Sequence, residues 1–474
     1  MGFTLPYKYG GLNLPCVLYT MSNDIVSRAD AALMNLYGLQ GIAETINNFA
    51  SDDIKEQILP RMASGELTGA MVLTEPDAGS DLQSVKTQAY QDAQGNWYVN
   101  GVKRFITNGC GDILLVLCRT EPNIADARGL SCLLVEKGPK VKVRRLEHKL
   151  GINGSPTCEI VFDNAPAKLI GSRQRGLITY VMSLMNGART GIAAQSLGIG
   201  EAAYRAARQY AAERKQFNVT IDQFPAIREL LVDMSVDLQA ARSLTYFPAY
   251  CVDLEQAQER RVAADKANPE SGAWRKESRH YRAFNKMLTP MAKYYSAEMS
   301  LRVANNAVSV LGGSGYMKDY PVERYLRDAR ITSIYEGTSQ LQIVAAVAGV
   351  LGGTLKDVVE EVLAKHEWVG ELADSVAKIR EGLDMLVECA AFIKEQSAEC
   401  YRDLYARDIV DMGEIVLIGA LFADEATESG EKTKVLARWL ATGIPQLKAK
   451  REKILAGATT VVDEFDTLAP YAEP

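Results

Sequence analysis

Glu336 stands between Tyr335 and Gly337 in the run Ile334-Tyr335-Glu336-Gly337-Thr338, which follows the glycine-rich Leu311-Gly312-Gly313-Ser314-Gly315-Tyr316 at close range. A carboxylate in that setting suits a base that reaches into a ligand pocket. Burial disfavours its charged form and strengthens it as a base, while the glycine lets a ligand approach the backbone. The competing reading is a glutamate near a helix N-terminus serving the dipole, and on this motif alone it prevails. Two segments further up the chain change the balance: Leu73-Thr74-Glu75-Pro76-Asp77-Ala78-Gly79-Ser80-Asp81 and Arg104-Phe105-Ile106-Thr107-Asn108-Gly109. Each threonine taken singly reads as a turn or cap hydroxyl. Gly312-Gly313-Ser314-Gly315 lies late in a helical region and follows no strand, so it is weak as a nucleotide fingerprint.

Side chains so far apart in sequence need a scaffold, and the pattern divides the chain into four regions. Residues 1–70 carry helix-like stretches at 24–36 and 53–62, the second after the N-cap residues Ser51-Asp52-Asp53. Residues 71–170 switch to period two. Trp97-Tyr98-Val99 follows a Gln94-Gly95-Asn96 turn, and β-prone runs follow at 113–118, 130–135, 141–143 and 159–162, which predicts a small antiparallel barrel or sandwich. Residues 171–352 return to helix, with long amphipathic runs at 202–210 and 226–246 and a break at Phe224-Pro225. Within this region the polar stretch 254–280 reads as an inserted loop or an extended helix tip. Residues 353–474 are again helical, with caps at Thr354 and Gly370 and breaks at Gly430 and Pro445. Helices, an antiparallel β unit, then helices make an α+β multidomain protein.

Composition narrows the function classes. A chain of 474 residues exceeds what one core usually serves, and 47% apolar with 24% charged residues is ordinary for a globular protein. The net charge of −6 argues against a nucleic-acid or anionic-membrane partner. Eight cysteines form no CxxC pair, and three widely spaced histidines offer no metal-ligand spacing. The first residues lack a basic and apolar leader, and the longest strongly apolar run, 415–423, is about half a membrane span. A cytoplasmic location and no metal are the expectations.

The Thr74, Thr107 and Glu336 segments, in this order, resemble the acyl-CoA dehydrogenase family of flavoproteins over about residues 9–352. The resemblance implies an N-terminal helical domain (here partial, 1–70), a middle β domain (71–170) and a C-terminal four-helix bundle (171–352), with 353–474 as an extra helical tail. It implies FAD as cofactor and Glu336 as the base that removes the α-proton of an acyl-CoA thioester. The segment 71–80 resembles the loop over the flavin ring, so Met71, Leu73, Thr74, Gly79 and Ser80 are expected at the cofactor, with Ser80 also approaching CoA. Phe105, Ile106 and Thr107 resemble the second flavin clamp, with Phe105 where many relatives have Trp. Arg214 and Gln216, in Glu213-Arg214-Lys215-Gln216-Phe217, resemble the segment whose arginine meets the flavin pyrophosphate of a neighbouring subunit, a role suited to a guanidinium. Ser309, Gly312, Gly313, Thr338 and Gln340 would complete the cofactor pocket. Asn186, Arg189, Tyr335 and Gly337 are expected at the substrate.

Three departures stand out. Asn186 replaces a frequent aspartate, Phe224-Pro225-Ala226-Ile227 lacks a glutamine common there, and Tyr9-Gly10-Gly11 matches a segment normally preceded by about two helices. The stretch after Leu254, the tail from Gly353 and Glu147-His148-Lys149-Leu150-Gly151-Ile152 resemble the longer bacterial subgroup that includes 3-methylthiopropionyl-CoA dehydrogenases. The activity implied is α,β-dehydrogenation to a trans-2-enoyl-CoA in fatty-acid β-oxidation, with electrons passed to an electron-transferring flavoprotein. A homo-oligomer is implied too, a dimer favoured over a tetramer. The alternatives are an oxidase using oxygen or, from another class, a flavin-binding nucleic-acid or interaction protein.

Overall fold

The computed structural model describes residues 2–396 and 399–471. The first helices are α1 (Cys16–Ala29), α2 (Ala31–Tyr37), α3 (Gln40–Phe49) and α4 (Asp52–Ser64). The single helix expected over 24–36 is divided between α1 and α2. Asp30 turns to extended backbone at φ −158°, and its carboxylate accepts from Leu33 N at 2.8 Å to cap α2. A cap of this kind is worth about 1 kcal/mol, so the break is written into the residue type.

Seven strands follow: β1 (Gly69–Val72), β2 (Gln88–Gln91), β3 (Trp97–Thr107), β4 (Ile113–Arg119), β5 (Leu130–Glu136), β6 (Val141–Leu146) and β7 (Thr157–Leu169). Pairing runs β4-β2-β3-β7-β5 and back to β4, which closes a barrel, with β1 added on β4 and β6 on β7. Most pairs are antiparallel, but β1 runs parallel to β4, and β2 touches β4 in parallel at Gln88 and Arg119. β4 and β5 read as unbroken apolar runs because both of their faces are buried. Leu114, Val116, Leu133 and Val135 fill the barrel, whereas Ile113, Leu115, Cys132 and Leu134 pack with Ile42, Ile46, Ile58 and Leu59 of α3 and α4.

Beyond the barrel come α5 (Met182–Glu213), the hairpin β8 (Lys215–Gln216) and β9 (Val219–Thr220), α6 (Pro225–Ala264), α7 (Ser271–Leu311), α8 (Gly313–Tyr316) and α9 (Val322–Ala329). The polar stretch 254–280 forms the neighbouring tips of α6 and α7, where Arg282 bonds Glu255 at 2.8 Å. The tail supplies α10 (Ser339–Gly352), α11 (Thr354–Leu363), α12 (Gly370–Glu395), α13 (Glu399–Ala426), α14 (Gly430–Leu455), α15 (Thr460–Asp463) and α16 (Phe465–Leu468). Pro445 does not break the tail as expected; it lies inside α14. Buried Trp439, Leu440 and Leu447 on either side of it offset the roughly 3 kcal/mol that an interior proline costs locally.

The chain divides into two compact units, residues 1–227 with 299–338 and residues 228–298 with 339–474. The second is wholly helical among its described residues, and the tail is tied to α6 and α7 within it. Arg438 of α14 reaches Asp233 at 2.6 Å, and Tyr294 of α7 donates to Asp411 of α13 at 2.8 Å. Among the described residues no single helix is long and apolar enough to cross a membrane, and no cluster of three His, Cys, Asp or Glu could hold a metal. The eight cysteines are all free thiols.

Candidate active site

Glu336 occupies the turn between the 3-10 segment Arg330–Ser333 and α10, ahead of the first helical residue Ser339. Its φ is +53° and that of Gly337 is +86°. Two successive left-handed residues suit glycine but are uncommon for glutamate. The neighbouring residue supplies the restraint. Tyr335 donates its hydroxyl to Gln195 Oε1 and lies 3.3 Å from Asn35 Oδ1. Gln195, fully buried on α5, in turn donates from Nε2 to the Ala31 carbonyl at 2.9 Å, and Asn35 Nδ2 donates to Ser155 Oγ at 3.1 Å. Ser27 Oγ closes the network on the Gln195 carbonyl at 2.7 Å. Burial, and then the charge of Glu336, push the Tyr335 phenol well above its ordinary value, so it remains a neutral donor.

Arg189 lies on the same helix, 9% exposed, with Nη1 donating to Asn186 Oδ1 at 3.1 Å and Nε without a partner. Burial lowers its pKa while the negative charge of Glu336 raises it, so the two groups sense each other's charge. An arginine keeps its proton under such opposing pressures. Asn186 thus touches Arg189, and Arg189 lies within electrostatic reach of Glu336, which stands between Tyr335 and Gly337.

The first set of expected cofactor residues is joined through β3. Met71 is half-buried within β1, Leu73 just beyond the strand is buried, and Thr74 is half-exposed. The Leu73 carbonyl accepts from Lys103 Nζ at 2.7 Å, and the Thr74 carbonyl from Arg104 N at 2.9 Å. Lys103 is fully buried and pairs with Glu75 at 2.9 Å. Glu75 also accepts from the amides of Lys86 and Thr87 at 2.8 and 2.9 Å. Burial alone would raise the Glu75 carboxyl, but the Lys103 charge and these hydrogen bonds outweigh it and hold the group below its ordinary value. Between Lys103 and Ile106, β3 advances one residue more than β7 opposite it, which makes a β-bulge. Phe105 sits in that bulge at φ +60°, its ring 54% exposed under the Arg104 guanidinium at 4.6 Å. Bulges redirect side chains in this way. Ile106 turns into the core, Thr107 is half-exposed opposite Thr157, and Gly79 and Ser80 face solvent.

A second set gathers about Tyr210. Its hydroxyl donates to Ser314 at 3.3 Å, just beyond the left-handed Gly312. Arg214 follows one turn later at the end of α5. Arg214, Gln216, Ser309, Gly312 and Gly313 are all exposed, and Phe217 in the adjoining hairpin is 88% exposed. Thr338 is half-buried after Gly337, and Gln340 is exposed on α10, in the second unit.

Comparison with known proteins decides what this arrangement belongs to. Three family models cover successive stretches: acyl-CoA dehydrogenase N-terminal domain (1–66), middle domain (70–165) and C-terminal domain (175–351). An acyl-CoA dehydrogenase of Bacillus subtilis is 38% identical over 75% of this chain and 87% of its own length. The chain belongs to the acyl-CoA dehydrogenase family. Butyryl-CoA dehydrogenase from Megasphaera elsdenii superposes with TM-score 0.64 at 30% identity, covering 75% of this chain and 86% of its own. An acyl-CoA dehydrogenase from Bacillus anthracis, complexed with FAD, matches 99% of this chain and 84% of its own with TM-score 0.84. At 23% identity that likeness speaks for the fold, and it carries the fold through the tail.

Several residues of this acyl-CoA dehydrogenase that brace the site were missed from the sequence. Gln195, Asn35 and Ser155 hold Tyr335, and Lys103 with Glu75 ties the Thr74 loop to the Phe105 bulge. Only Glu75 had a usable signal, as a carboxylate inside a recognised segment.

Proposed function

We propose that the protein carries out FAD-dependent α,β-dehydrogenation of an acyl-CoA thioester to the trans-2-enoyl-CoA, with Glu336 taking the α-proton. The observation that carries this reading is the left-handed turn at Glu336, braced by Tyr335 and lying within the electrostatic reach of buried Arg189. A base fixed by its neighbours needs little reorganisation when the proton moves. The C–H pair leaves as a proton, which the Glu336 carboxylate receives, and a β-hydride. FAD, when bound, supplies the acceptor for that hydride.

The residues present fit such a cofactor. Phe105 offers an exposed ring at a bulge, and half-exposed Thr74 and Thr107 offer hydroxyls. Around Gly79, Gly312 and Gly313 no atom lies within 4 Å of where a side chain would begin, which leaves room for phosphates or ring atoms. Met71, Leu73, Thr74, Gly79, Ser80, Phe105, Ile106 and Thr107 would hold the flavin. Arg214 would reach the pyrophosphate held by a second copy, with Gln216, Ser309, Gly312, Gly313 and Thr338 completing the pocket. The exposed hairpin around Phe217 supports such a homo-oligomer. Asn186, Arg189, Ser80, Tyr335 and Gly337 would meet the acyl-CoA. Electrons would pass to an electron-transferring flavoprotein, and the free thiols suit a cytoplasmic enzyme.

The nucleic-acid reading loses its support in the tail. Lys450 and Lys453 are paired with Asp408 at 3.1 and 2.7 Å, and Arg451 with Glu388 at 2.6 Å. These cations already have carboxylate partners.

The test is anaerobic flavin reduction. Glu336→Gln is expected to retain flavin and bind acyl-CoA while reducing flavin at least ~100-fold more slowly. Near-normal reduction by this variant would remove Glu336 from the role of base.

A further inference from the structure

We infer that Cys110 and Cys158 form a redox modification site, where hydrogen peroxide converts two thiols to a disulfide that restrains the turn after Thr107. The site stands apart from the proposed function; only its effect on flavin reduction rests on that reading.

The turn between β3 and β4 brings the two sulfurs together. Ile106 faces Cys158 across the β3–β7 ladder, Thr107 faces Thr157, and Asn108 N then donates to the Pro156 carbonyl at 2.8 Å. The chain folds back at Gly109, where a Cβ would stand 2.8 Å from Cys158 Cβ. Only glycine permits so close an approach. The next residue, Cys110, packs against the barrel core that contains Cys158. The two thiols share a hydrogen bond, and the amides of Gly109 and Cys110 are also directed at the Cys158 sulfur. Thiols in contact need only a short further approach to reach the roughly 2.0 Å of a disulfide.

Unequal exposure divides the roles. Cys110 is half-buried, whereas Cys158 is fully buried. Burial above all pushes the Cys158 thiol up to about 11, so it stays protonated at neutral pH. Cys110 therefore meets the oxidant first. Its sulfur attacks one peroxide oxygen, the O–O bond breaks, and water leaves with the thiol proton, giving a sulfenic acid. The Cys158 sulfur then displaces the sulfenic oxygen, which departs as water with the Cys158 proton. Two thiols are oxidised and one peroxide is reduced to two waters. The amides directed at Cys158 favour negative charge developing on its sulfur. Lys149, held on Thr157 Oγ1 at 2.9 Å, adds a cation within electrostatic reach. Cys118 and Cys132 supply the contrast. They lie on neighbouring strands, but both are buried and they pack into the cores on opposite faces of the sheet.

The cross-link acts on the turn next to Thr107. Cys110 Sγ donates to Asn108 Oδ1 at 3.9 Å, and Asn108 Nδ2 donates to the Gly69 carbonyl at 3.0 Å, at the start of the strand that runs toward Thr74. A disulfide sulfur carries no proton, so oxidation removes the first of these bonds and draws Cys110 toward β7. Thr107 and the Thr74 loop, both proposed flavin contacts, are tied to that turn.

The FAD-loaded full chain is treated with a small excess of hydrogen peroxide at neutral pH, quenched by alkylation and digested with trypsin. Mass spectrometry is expected to find peptides 105–119 and 150–168 joined, lighter by two hydrogens than their sum and separated by dithiothreitol. The joined species should vanish in Cys110→Ser. In Cys158→Ala a sulfenic acid trapped by dimedone should appear at Cys110 instead. The oxidised parent is expected to reduce flavin about tenfold more slowly with acyl-CoA, to recover in dithiothreitol, and to show no such loss as Cys110→Ser. Absence of the joined peptides, or their persistence in Cys110→Ser through Cys118, would overturn the site. A disulfide that leaves the rate unchanged would overturn its hold on the turn. If the untreated parent reduces flavin with no acyl-CoA, the dehydrogenation reading falls, and the peptide map still decides the cysteine site.

Discussion

Tyr335 and Gln195 are joined by a hydrogen bond between a turn and the middle of a buried helix, 140 residues apart in sequence. The bond fixes the peptide that leads into Glu336, whose left-handed φ is uncommon for a glutamate. Removing the hydroxyl should therefore loosen the base without removing it. Tyr335→Phe is expected to lower the flavin-reduction rate about tenfold, as for loss of roughly 1.4 kcal/mol of positioning, with KM changed much less. Stopped-flow reduction at saturating acyl-CoA checks this; a change confined to KM would mean that the hydroxyl serves binding alone.

The Lys103–Glu75 pair makes a second prediction, about stability. Both side chains are buried, and each compensates the other's desolvation. Replacing Lys103 by Met leaves a buried carboxylate held only by the amides of Lys86 and Thr87. A loss of about 3–5 kcal/mol is expected from urea denaturation, partly recovered in the Lys103→Met, Glu75→Gln double variant.

The same pair carries a pH dependence whose sign is fixed. Glu75 is held below its ordinary value of 4.5 in the fold, so the unfolded chain takes up its proton first as acid is added. Its contribution is fully present above that value and is lost as pH falls through the lower, folded one. Unfolding midpoints at about pH 7 and about pH 4 should therefore differ less in Glu75→Gln than in the parent. An unchanged difference would assign the acid sensitivity to other carboxylates.

These residues show what the sequence could and could not disclose. The apolar runs of β4 and β5 were legible because local pattern reports burial on both faces. Phe105 was legible as an aromatic in a recognised segment. Its outward turn was not, because the bulge depends on β7, far along the chain. Lys103, between Val102 and Arg104 on a strand, reads as a solvent-facing lysine until Glu75 is placed against it. Gln195 and Asn35 carry no motif at all; their role exists only once α1, α2 and α5 have packed. Pro445 failed in the other direction, since a strong local breaker yielded to the buried stripe around it.

The tail offers a fourth test. Lys450 bridges Asp408 and Asp411 at 3.1 and 2.7 Å, and Lys453 adds a second bond to Asp408. Lys450→Met is expected to destabilise the protein by about 1–3 kcal/mol, because it removes the cation that bridges buried Asp408 and half-buried Asp411. Flavin reduction in the folded fraction should be unchanged. The full chain should also give no shift of duplex DNA at about 50 mM salt; salt-sensitive binding there would reopen the nucleic-acid reading.

Arg189 supports the last prediction, because its charge and that of Glu336 act on each other. A nearby cation favours the ionised form of a carboxylate, and its removal disfavours it. In Arg189→Met the base should need a higher pH to ionise, so the rising limb of the rate of flavin reduction against pH moves upward. The direction distinguishes electrostatic action from mere packing, which would lower the rate at every pH alike. Asn186 provides the control. It contacts Arg189 Nη1 at 3.1 Å and carries no charge, so Asn186→Ala should leave the limb in place while weakening acyl-CoA binding a few-fold. A limb that moves in both variants, or in neither, would separate Arg189 from the chemistry of Glu336.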